Sequence, residues 1–143
     1  MRNLIVVIIT LMLPFYLLAQ NASDHIHIPQ GSVKPQTGPI IVKGIKLVTH
    51  ESVINKNLTI KDFGDFIKEL ESAVKNNYKS SEQGELFLLI EIKSSERFTT
   101  TLKYQGNLSP EYLQKIYDNI AQISTINSKS ENIKFQVHFS IGV

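Results

Sequence analysis

Along residues 40–143 the apolar positions alternate between a period of two and a spacing of three to four, and these switches predict the elements. Ile40-Ile41-Val42-Lys43-Gly44-Ile45-Lys46-Leu47-Val48 is short and rich in β-branched residues, which predicts a strand with a bulge at Gly44. From Thr59, whose hydroxyl can cap free amides with Asp62 three residues on, the residues Ile60, Phe63, Phe66, Ile67, Leu70, Ala73, Val74 and Tyr78 form a helical stripe. Lys61, Asp65, Lys68, Glu69, Ser72 and Lys75 line the opposite face. Gly64 costs such a helix about 1 kcal/mol relative to alanine, so it is expected where the helix approaches a sheet closely. Ser80 to Gly84 reads as a turn. Leu86 to Ile92 is almost continuously apolar, as in a central strand with both faces at least partly covered. After Lys93-Ser94-Ser95-Glu96, Phe98, Thr100, Leu102 and Tyr104 alternate with Thr99, Thr101 and Lys103, which predicts the second arm of an antiparallel hairpin. Ser109 as a cap and Pro110 at the first helical position open a second helix with Leu113, Ile116, Tyr117, Ile120 and Ile123 on one face. A polar loop, Ser124 to Asn132, follows. The chain closes with Ile133, Phe135, Val137, Phe139, Ile141 and Val143 alternating with Lys134, Gln136, His138 and Ser140, the pattern of a half-buried strand.

The predicted order is therefore β-α-β-β-α-β. An α+β fold follows, an antiparallel sheet with two helices on one face, in the split βαβ or ferredoxin-like arrangement. In such a sheet the strand over residues 40–48 would lie between two others. Leu88, Ile90, Leu113, Ile116, Phe135 and Val137 are expected to meet in the core.

Residues 1–39 have a different character. Met1-Arg2-Asn3 precedes the apolar run Leu4–Leu18, interrupted by Pro14, and Ala19-Gln20-Asn21 follows. A positive n-region, an apolar stretch of about fifteen residues and a small residue at the cut make residues 1–19 a secretory signal peptide with Gln20 as the expected new terminus. The run is shorter than the roughly twenty residues of a spanning helix, so no stable membrane span is expected after the signal is removed. Residues 20–39, with Pro29, Gly31, Pro35, Gly38 and Pro39, read as a flexible leader to a single domain over residues 40–143. The expected location is the periplasm or the cell exterior.

Composition then narrows the chemistry. Losing Arg2 with the signal leaves 14 basic residues against 13 acidic ones, a net charge of +1 with histidines neutral. Lys and Glu are interleaved, with no basic stripe for nucleic acid. The chain has no cysteine, which excludes disulfides, thiol catalysis, thiolate metal sites and lipoprotein acylation. His25 and His27 lie in the leader, where a cut after Ala22 would create the Cu(II)-chelating terminus Ser23-Asp24-His25. That cut would put Gln20 where small residues are preferred, so a solvated tail is the reading. His50 and His138 have no ligand-spaced partner in sequence, and Asp62, Asp65 and Glu69 are interspersed with Lys61 and Lys68 as on a solvated helix face. Asn21-Ala22-Ser23 and Asn57-Leu58-Thr59 are formal glycosylation sequons, relevant only in a eukaryotic pathway, whereas the Ile-, Lys- and Asn-rich usage looks bacterial. No nucleophile elbow, phosphate loop, dinucleotide fingerprint or calcium loop is present. The catalytic, cofactor and metal expectations are therefore all none.

From Lys61 onward, the order long helix, hairpin, helix, closing strand resembles the C-terminal domain of the TonB and TolA periplasmic proteins. Gly84-Glu85-Leu86-Phe87-Leu88-Leu89-Ile90-Glu91-Ile92 is similar to the family's glycine-led first strand, and Ile133-Lys134-Phe135-Gln136-Val137-His138-Phe139 to its closing strand. The resemblance implies an exported, non-enzymatic adaptor with a protein partner of unknown identity. It also implies a partner strand, Ile133, Phe135, Val137, Phe139 and Ile141, able to add to another protein's sheet. Two alternatives share the element order: a small secreted inhibitor or propeptide-like module, and a hydrolase whose site carries no recognised motif.

Overall fold

The computed structural model describes residues 38–143. The signal peptide expected over residues 1–19 and all of the expected leader except Gly38 and Pro39 lie outside the described residues, as do Asn21, His25 and His27.

Four strands and three helices follow one another as β1 (Ile40–Leu47), α1 (Glu51–Asn57), α2 (Ile60–Lys75), β2 (Gln83–Ile92), β3 (Thr99–Asn107), α3 (Pro110–Ala121) and β4 (Ile133–Ile141). The strands form one antiparallel sheet in the order β1-β4-β2-β3. The protein is thus an α+β fold with a four-stranded antiparallel sheet and three helices.

Local chemistry explains most boundaries. The Thr59 hydroxyl accepts from the Asp62 N–H at 3.0 Å to start α2, and the Ser109 hydroxyl accepts from Tyr112 N–H at 3.2 Å to start α3, with Pro110 next in the chain. β1 is bulged between Val42 and Gly44, as its sequence predicts. Helix α1 has no counterpart in the predicted order. Its start is an unusual one, with the His50 imidazole Nδ1 accepting from Ser52 N–H, and only Ile54 and Asn57 of its seven residues are buried. A stripe that short carries no periodicity.

The core lies on one side of the sheet. Leu86, Leu88, Ile90 and Ile92 of β2 and Ile133, Phe135, Val137, Phe139 and Ile141 of β4 turn to that side and are almost fully buried. They meet Phe66, Leu70 and Val74 of α2 and Tyr112, Ile116 and Ile120 of α3. Phe135 is gripped edge-on by Phe63, with ring centroids 4.9 Å apart, and by Phe66 at 6.3 Å. Of the six residues expected in the core, five are fully buried and Leu113 packs against the cluster partly exposed.

Several positions differ from expectation. Among the described residues β1 is an edge strand paired with β4 alone, not one flanked on both sides. Its exposed Lys43, Gly44 and Lys46 suit an edge, where solvated lysines and a bulge block further pairing. Gly64 faces open space rather than a close neighbour. Ile60 and Tyr117, both placed on apolar stripes, are 87% and 50% exposed, because Ile60 sits at the very start of α2 and Tyr112 takes the core position on α3.

Candidate functional site

Ile133, Phe135, Val137, Phe139 and Ile141, the residues singled out as a partner strand, occupy the most enclosed strand of the sheet. β4 is hydrogen-bonded to β1 along one edge and to β2 along the other, and these five side chains are at most 2% exposed. In this sheet the strand has no free edge, so a partner could add to it only if β1 or β2 left. Five of the six apolar residues at period two over residues 133–143 are buried, as a central strand on a core face requires, while Val143 lies past the end of β4 and is exposed.

The backbone bonding shows which groups the sheet leaves open. Lys134 C=O accepts from the N–H groups of Val48 and Thr49, and Gly142 N–H donates to Pro39 C=O at 2.6 Å. Even-numbered residues of β4 therefore turn their backbone toward β1. Backbone direction alternates along an antiparallel ladder, so the odd-numbered residues of β4, such as Val137, bond β2 at even-numbered positions such as Leu88. Odd-numbered residues of β2 then bond β3 at odd-numbered positions, as Phe87 does with Lys103. It follows that Thr100, Leu102 and Tyr104 direct their N–H and C=O groups away from the sheet, on a side where no strand of the described residues pairs.

This β3 edge differs from the β1 edge. Its nine residues pair with β2 in unbroken register from Thr99 to Asn107, without a bulge or proline. Its only charged residue is Lys103. On the helix side, Leu102 and Tyr104 are only partly buried against the core. A long, regular edge with half-covered apolar side chains is what a sheet presents to another chain. Gly106 sets its limit: at φ 94°, a Cβ there would lie 2.7 Å from Gln83 C=O, so the backbone turns tightly against β2 at that end.

The sheet face opposite the helices carries a polar cluster. Glu85 on β2 and Ser140 on β4 are directly opposite, as are Phe87 and His138. His138 Nε2 lies 2.5 Å from Glu85 Oε2, and the Ser140 hydroxyl donates to Glu85 Oε1 at 3.0 Å. The imidazole stacks on Phe87 with centroids 4.4 Å apart. Serine, histidine and an acid thus converge, but the hydroxyl and the imidazole both bond the carboxylate. Activation of a serine nucleophile needs its hydroxyl on the imidazole instead. The cluster ties β2 to β4. Its members are 53 and 55 residues apart in sequence, which is why His138 looks isolated in the sequence.

Other polar groups are committed to architecture. The nearly buried Glu82 carboxylate accepts from Ser109 N–H at 2.7 Å and from its hydroxyl at 2.5 Å, fixing the start of α3. Arg97 donates to the carbonyls of Ile120, Ala121 and Ile123, closing the end of α3, and lies over the Phe98 ring. Buried Asn57 accepts from Ser130 N–H, the Ser130 hydroxyl and Glu131 N–H, so this sequon asparagine is engaged inside the fold. Lys61 pairs with Asp65, which raises the lysine and lowers the carboxyl from their ordinary values, on a solvated helix face as expected. An open groove of about 350 Å³ between α2 and α3, lined by Lys68, Glu69, Asn76, Asn119 and Gln122 among others, shows no convergent buried polar group.

Among the described residues there is no group of three or more His, Asp or Glu placed to hold a metal, and no helix is long and apolar enough to cross a membrane. No protein-family model, curated protein or solved structure matches this chain.

Proposed function

We propose that the chain is an exported, non-enzymatic protein-interaction domain, similar to the C-terminal domain of TonB and TolA proteins, and that it takes an extended segment of a protein partner onto the edge of β3. The observation that carries this reading is the regular, unbulged β3 edge with Thr100, Leu102 and Tyr104 aimed outward. Backbone hydrogen bonds would supply the affinity, and the half-covered Leu102 and Tyr104 would favour apolar residues at alternate positions of the partner. Pairing at β4 would first require β1 to leave, whereas pairing at β3 displaces no described element.

In the native host, a photoreactive residue at Thr101 should form discrete adducts with a protein, and one at exposed Lys115 on α3 should not. Thr100→Pro should abolish the Thr101 adducts, because it removes an outward N–H without touching the bonds to β2. Equal labelling at the two sites, or none, would overturn the reading. A protease recovered as the adduct would turn it into the inhibitor alternative. Export is tested separately by the mass of the mature chain, which should begin at Gln20; intact Met1 in a membrane fraction would refute it.

A further inference from the structure

We draw no further inference here: the strongest candidate, the sheet face opposite the helices, where half-buried Phe87 and Leu89 flank the Glu85–His138–Ser140 cluster, carries none because nothing in the structure shows what covers it.

Discussion

Asn57→Ala is a sharp test of how the described domain is held together, because this one side chain fastens the loop before β4 to the end of α1. Asn57 is 3% exposed. Its Oδ1 accepts from Ser130 N–H at 2.8 Å, the Ser130 hydroxyl at 3.1 Å and Glu131 N–H at 3.0 Å, while its Nδ2 donates to Val53 C=O at 2.8 Å. A net hydrogen bond contributes about 0.5–1.5 kcal/mol. Ser130 and Glu131 are exposed and regain water once released, so the loss is expected near the low end of each, about 2–3 kcal/mol in all. Against a typical stability of about 5–15 kcal/mol that is substantial. For a domain of this size it corresponds to a fall of roughly 8–12 °C in melting temperature. Urea denaturation followed by circular dichroism measures the loss, and native-state hydrogen exchange should show the Ser130 and Glu131 amides becoming unprotected. Asn57→Asp keeps the acceptors for both amides but sets a carboxylate against Val53 C=O, so it should retain loop protection and lose stability at α1. A melting temperature within 2 °C of wild type, with the Ser130 amide still protected, would refute the account.

Three further outcomes are expected. Phe135→Ala, at a fully buried position between Phe63 and Phe66, should cost about 3–5 kcal/mol in chemical denaturation, while Tyr117→Ala at a half-exposed site should cost under about 1 kcal/mol; equal losses would mean the core is misplaced. Burial, reinforced by the nearby Glu82 carboxylate and Tyr78, holds the Tyr112 phenol well above its ordinary range. The resulting stability is complete below about pH 10, where the unfolded phenol titrates, and is lost as pH rises toward the folded value, so unfolding free energies between pH 8 and 11 should fall more steeply for wild type than for Tyr112→Phe; parallel curves would refute it. Arg97→Ala should free the carbonyls of Ile120, Ala121 and Ile123, fraying the last turn of α3 and lowering stability by about 1–3 kcal/mol; unchanged amide exchange at residues 121–123 would contradict the capping role.

What was legible in the chain was whatever repeats locally. Alternation over residues 133–141, the stripe from Phe63 to Val74 and the caps Thr59 and Ser109 each bias a few neighbouring torsions and one buried face, so the four strands and the two longer helices follow from the residues alone, while the short α1 does not. Even the Gly44 bulge is a local event. Which strand stands beside which is a different kind of fact, because it depends on pairing energies between segments far apart in sequence. β4 enters between β1 and β2 only in the folded sheet, and that order puts Ile133 to Ile141 at its centre, with both edges of the strand paired. It also left β3 as the regular edge. The polar hubs were hidden for the same reason: Glu85 reaches His138 and Ser140, and Asn57 reaches Ser130 and Glu131, across 53 to 74 residues. Periodicity records which way a side chain faces, but only tertiary packing chooses what it meets there.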